Sequence, residues 1–185
     1  PDKKAAPIMN FKPKDEIEKI AYALYLHKLS WEKAHYKAAD FYYSKKEYVK
    51  FLKEMYTLIE DKPFDGSAYV YAIDKLMKIN ALPLAYPVLK KLHFYYPSEY
   101  TTKRLGYVAF RLGDLNNAEK YISMYLTYNS KDANAYYDLA GVYIKKNELY
   151  KARAALRSCL NIDKSNKDAA RLFNQINNYL ERNAK

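Results

Sequence analysis

The side chains of this sequence that could do chemistry are three histidines, one cysteine and clusters of cations among tyrosines, and their spacing offers little to a reaction. His27, His35 and His93 stand singly, without the H-E-x-x-H spacing that sets two imidazoles on one helix face around a metal. Each is expected to be a packing or surface residue. Cys159 has no second cysteine, so no intrachain disulfide forms and stability must come from packing. No Gly-rich phosphate loop and no G-x-S-x-G elbow occurs. The residues therefore imply no catalytic group, no cofactor and no metal.

The elements that position these residues follow from composition. The chain has 185 residues, 50% apolar and 29% charged, enough for one domain with a sizeable core. Only 4 Gly and 7 Pro are present, too few for the many turns of a β fold, while Ala, Leu, Lys and Glu favour helices. An all-α protein is expected. Its 22 tyrosines can bury a ring while leaving the hydroxyl wet. The net charge of +11 attracts anionic partners in general and selects none of them. No apolar run approaches the ~20 residues that span a bilayer, so no transmembrane segment is expected. The opening PDKKAAPIMNF has neither the apolar core of a signal peptide nor an initiator Met, and the sequence reads as a fragment of a longer protein, its compartment and oligomeric state unknown.

Self-similarity is the strongest signal. Moving 34 residues on from Leu105 pairs Leu105 with Leu139, Gly106 with Ala140, Gly113 with Asn147, Asp114 with Glu148, Ala118 with Ala152 and Ile122 with Leu156. Moving 33 back gives Ala72, Ile73, Asn80, Ala85 and Leu89, and a further 34 gives Ala38, Ala39, Lys46, Phe51 and Met55. Each unit has one grammar: a first helix carrying a small or apolar pair, a polar turn, and a second helix with two core residues four apart on one face. Gly or Asn in the turn can take the left-handed conformation that ends a helix.

This pattern resembles the tetratricopeptide repeat (TPR), W-x2-L-G-x2-Y…A-x3-F…P. Residues 133–166 match it best, through Tyr136, Leu139, Ala140, Tyr143, Ala152, Leu156 and Cys159, and residues 99–132 next. Residues 32–65 and 66–98 are degenerate, with His35 or Tyr69 in place of the Trp, and rest on spacing and on the closing Pro63 and Pro97. The resemblance implies an all-α, right-handed superhelix of antiparallel helix hairpins. Around it, residues 1–14 read as a basic linker, 15–29 as an N-terminal helix followed by Ser30 as N-cap, and 167–182 as a capping helix with Ala169, Phe173, Ile176 and Leu180 on its apolar stripe.

In that family first-helix side chains line a groove for a peptide or protein segment. Carried over, the groove positions are Tyr36, Asp40 and Tyr43; Tyr71 and Asp74; Lys103, Arg104, Tyr107 and Arg111; and Tyr137, Asp138 and Lys145. Tyr and Arg are common interface anchors, though about half of the tyrosines are expected to fill gaps between repeats instead. The carboxylate clamp of some TPR domains is missing, since Tyr36, Asp40, Val70, Asp74 and Asp138 occupy its Lys and Asn positions. Lys103 and Arg104 could still receive a carboxylate. The expected function is a non-catalytic protein-interaction scaffold. A nucleic-acid-binding repeat ranks lower, because Lys50, Lys53, Lys90, Lys91, Lys120, Lys151 and Arg157 fall on second helices while Asp40, Asp74 and Asp138 face the groove. A third reading is an appendage of a larger enzyme, because SWEKAHYKAADFYY resembles the TPR tails that follow SGNH (GDSL-type) hydrolase domains in some bacteria. Any esterase activity would then belong to another part of the parent.

Overall fold

A computed structural model describes residues 12–183. They form α1 (Glu16–Tyr25), α2 (Trp31–Ser44), α3 (Tyr48–Asp61), α4 (Gly66–Lys78), α5 (Leu82–Tyr95), α6 (Glu99–Leu112), α7 (Leu115–Tyr128), α8 (Ala133–Lys145), α9 (Leu149–Ile162) and α10 (Lys167–Arg182), with no strand among the described residues. The protein is an all-α helical repeat. The expected linker, residues 1–14, lies almost wholly outside the described residues.

Two compact units divide inside α4, one ending at Ala72 and the next beginning at Ile73. In the first, α1 packs on α2 and α2 on α3. In the second, helices pack in sequence from α5 to α10, each against the next. Such nearest-neighbour packing is the mark of a repeat array, where each hairpin buries its apolar face only against its neighbours.

The turns explain why the chain reverses where it does. Lys46, Asn80, Gly113 and Asn147 all have positive φ, at 60°, 58°, 79° and 59°, and they are the four positions that the repeat places in register. At each, the next amide reaches back five residues, as Glu47 N does to Tyr42 O and Asp114 N to Ala109 O, closing the last helical turn. His27 ends α1 in the same way, with φ 56°, so residues 26–29 form a turn. Several helix starts are capped as well, though α3, α5 and α9 have no side-chain cap. Ser30 accepts from Lys33 N at 3.3 Å, and Ser98 and Thr101 form a reciprocal capping box. One helix departs from propensity: α5 runs unbroken through Pro87, whose missing N–H leaves the Pro83 carbonyl without its usual donor.

The paired positions are core. Ala39, Ala72, Ile73, Leu105 and Ala140 on first helices are fully buried, as are Phe51, Met55, Ala85, Leu89, Ala118, Ala152 and Leu156 on second helices. Gly106 shows how tight the hairpin is. A Cβ there would lie 2.7 Å from Ile122 Cγ1 and 3.2 Å from the Ile122 backbone nitrogen. Cys159 is buried in the core that α7 to α10 share, and burial raises its thiol pKa, which suppresses the thiolate.

Two tests of stability follow from this geometry. In an exposed helix Gly→Ala gains about 1 kcal/mol, but Gly106→Ala is expected to cost about 1–3 kcal/mol through overpacking; urea unfolding that shows a gain would refute the close approach. At the turns, Gly113→Ala is expected to cost about 1 kcal/mol through backbone strain alone, since nothing lies within 4 Å of the added methyl. Lys46→Gly is expected to gain about 0.5–1 kcal/mol by the same measure.

Candidate functional site

First helices carry most of the residues that the sequence nominates, so the site is built outward from their registers. Positions 40, 74 and 107 are equivalent in successive repeats, as are 71, 104 and 138. In the first unit the Tyr71 hydroxyl donates to Asp40 Oδ1 at 2.5 Å, and the Tyr36 ring meets Tyr71 edge-on at 5.1 Å. Burial raises the Tyr36 phenol pKa, and Glu32 and Asp65 add to the effect. Tyr43 stands apart, packed inside the hairpin against Tyr48 and Phe51 at ring distances of 5.8 and 5.5 Å.

In the second unit the equivalent link recurs with different chemistry. Arg104 reaches Asp74 Oδ1 at 3.5 Å, its guanidinium lies 3.7 Å over the Tyr100 ring, and the Tyr100 hydroxyl donates to the same carboxylate at 3.3 Å. Arg104 Nε is buried without an acceptor. At the next joint the pattern inverts. Asp138 occupies the donor position and Tyr107 the acceptor position, while the Tyr107 hydroxyl accepts instead from Arg111 Nη1 at 2.6 Å. Among the described residues no side chain donates a hydrogen bond to Asp138.

The unclosed joint coincides with a cleft of about 550 Å³. Asp74, Lys103, Arg104, Tyr107 and Asp138, all nominated by the sequence, line it together with Met77, Lys78, Ile122, Tyr125, Asp132, Asn134 and Ala135. Arg111 is held beside it through Tyr107, Lys145 lies 4.7 Å over the Phe110 ring, and Tyr137 packs against the core. Tyr36, Asp40, Tyr43 and Tyr71 belong to the first unit.

One wall of the cleft is fixed by a three-way contact that no sequence pattern announces. Asp132 caps α8, accepting from Ala135 N at 3.1 Å through Oδ1. Its Oδ2 accepts from the Tyr125 hydroxyl at 2.8 Å and from Lys103 Nζ at 3.1 Å, and Lys103 also reaches the Tyr125 hydroxyl at 3.1 Å. Burial by itself raises the Asp132 pKa, but the bonds from Tyr125, Lys103 and Ala135 outweigh it and hold the carboxyl below its ordinary value. The bonds that Lys103 donates to Tyr125 and Asp132 raise its own pKa. Asp138 goes the other way: burial pushes its carboxyl up, the Asp132 charge adds to this, and Lys103 only partly offsets it. Lys103 and Arg104, nominated as receivers of a carboxylate, are thus already engaged by Asp132 and Asp74.

The histidines lie elsewhere. His35 Nδ1 sits 2.7 Å from Glu54 Oε2, His93 Nδ1 is 2.8 Å from Thr101 Oγ1, and burial lowers the His93 pKa, with Lys120 adding to the effect. No group of three or more His, Cys, Asp or Glu that could hold a metal occurs among the described residues, and no helix there is long and apolar enough to cross a membrane.

Comparison with known proteins bears on the repeat itself. Residues 133–166 match the tetratricopeptide repeat. They comprise α8 and α9, the hairpin that carries Asp132's helix and Asp138. Among solved structures, the chain is similar to MamA (18% identity, TM-score 0.60, covering 81% of this chain and 88% of that one). It is also similar to MamA from Desulfovibrio magneticus RS-1 (17%, TM-score 0.57, 84% and 97%) and to YrrB, described as a TPR protein with an unusual peptide-binding site (19%, TM-score 0.61, 84% and 82%). At these identities the likeness is one of fold. No curated protein matches the sequence.

The depressed Asp132 pKa makes a pH test available. A carboxyl lowered on folding stabilises above its unfolded pKa of about 3.9, and that contribution fades as pH falls through the folded value. Asp132→Asn keeps the helix cap but loses the charge, and is expected to cost about 1–2 kcal/mol at pH 7. The gap to wild type should close below about pH 4; a gap independent of pH would show that the charge contributes nothing.

Proposed function

We propose that this chain is a docking repeat without catalytic function, which holds an extended segment of another protein in the cleft of the second unit. The observation that carries the reading is the cleft's construction: α4, α6 and α8, the first helices of three successive repeats, line it, and its charges are set in place by Tyr125 and Tyr100. Met77, Ile122, Tyr107, Tyr125 and Ala135 give it apolar surface, and Asp74, Lys103, Arg104, Asp132 and Asp138 give it polar groups at its edges. Apolar surface with a few convergent polar groups is the usual make-up of a ligand site. His27, His35, His93 and Cys159 all lie outside it, so the cleft holds neither a thiol nor an imidazole. Three carboxylates along the cleft offset its three cations, Lys78, Lys103 and Arg104, so it offers a phosphate backbone no net attraction, which ranks nucleic acid below a peptide. YrrB, similar in fold and described as having a peptide-binding site, supports the same choice.

The test is selection from a random linear-peptide display library, followed by affinity measurement with synthetic copies of the selected peptides. Tyr107 is 40% exposed and contributes little to the core. Tyr107→Ala is therefore expected to leave the circular dichroism spectrum unchanged and to weaken the selected peptides about tenfold or more. Equal binding by that variant would remove the cleft from the site, and a library that yields no binder would remove the function.

A further inference from the structure

The charges that line the cleft are unequal in what they still lack. Asp132 and Lys103 satisfy one another, and Asp74 is paired with Arg104, whose Nε keeps no acceptor. Lys78 is exposed and already solvated. Asp138 alone among these lining charges is part-buried yet receives no hydrogen bond and no ion pair among the described residues. Its register explains the deficit. In the two preceding joints a donor from position 71 or 104 closes onto an aspartate at 40 or 74, and here the acceptor stands where the donor should be.

We infer that the cleft selects a guest with a lysine or arginine, whose cationic head supplies to Asp138 the donor that the repeat omits and whose aliphatic stem lies on the cleft's apolar surface. The inference rests on the docking function proposed above and specifies what that site takes. Long basic side chains combine the two properties the cleft presents, an apolar stem and a charged tip. A half-buried carboxylate gains more from such a donor than an exposed one does, because its lost hydration is not otherwise replaced. The net charge of +11 belongs to the whole chain, whose exposed charges farther than about 8 Å are largely screened at physiological salt, and the cleft's own Lys78, Lys103 and Arg104 are matched in number by Asp74, Asp132 and Asp138. Asp74 and Asp132 have their cations against them and Lys78 is exposed to water, which leaves Asp138 as the part-buried lining charge that a guest's donor can still satisfy.

The experiment selects peptides in parallel on wild-type protein and on Asp138→Asn, a change that keeps size and shape. Wild type is expected to enrich Lys or Arg at one fixed position, and Asp138→Asn is expected to lose that enrichment while keeping the rest of the motif. Replacing the enriched residue by Gln in a synthetic peptide should weaken binding to wild type about tenfold or more, and should weaken binding to Asp138→Asn by less than about twofold. The peptide-side change reads the same contact on the wild-type protein should the variant fold poorly. Binders without an enriched basic position, or an equal loss on both proteins, would overturn this inference and leave the docking function standing. Failure to select any binder would overturn both.

Discussion

The closeness with which two helices of a hairpin approach is the constraint on which everything else depends. Gly106 against Ile122 sets it in one hairpin, and the buried Ala39 and Ala140 occupy the matching places in two others. A small side chain there lets the second helix settle into the first, and the large residues around it, such as Phe51, Leu89 and Leu156, then fill the space at interior density. The sharp reversal at Lys46, Asn80, Gly113 and Asn147 aims the second helix into that position.

That combination is why the fold could be read from the amino acids. Spacing of 33 or 34 residues puts the same turn, the same small pair and the same second-helix core residues in register, and backbone geometry repeats at those four turns. Lys46 illustrates how position can override type. A lysine is a poor resident of the left-handed region, yet the helices on either side hold it there as they hold the glycine at 113. Pro87 is the opposite case, a helix breaker inside an intact helix, tolerated because Ala85, Val88, Leu89 and Leu92 around it are anchored in the core.

The cleft was legible only in part. First-helix positions such as Asp74, Lys103, Arg104, Tyr107 and Asp138 follow from the repeat register, and the structure gathers them around one cavity. Tyr125 and Ile122 could not be found in the same way, since they sit on a second helix whose pattern marks them simply as core. Asp132 reads in sequence as a helix cap, and its second role depends on the Tyr125 hydroxyl and Lys103 arriving from other helices. Tyr43, nominated with the groove, is drawn instead into the hairpin by Tyr48 and Phe51, because an aromatic ring at the end of a first helix finds apolar neighbours across the turn. Periodicity identifies which face a residue occupies; which neighbours it meets is a matter of three dimensions.

Asp132 begins a helix, holds a tyrosine and neutralises a lysine at once, so its replacement would disturb three contacts together. Asp138, by contrast, receives no hydrogen bond from a side chain among the described residues. The two carboxylates of the same cavity differ in how far they are tied to the architecture, one held by three partners and the other by none of these bonds. A change at Asp138 would therefore alter the charge of the cavity with the Asp132 wall left intact.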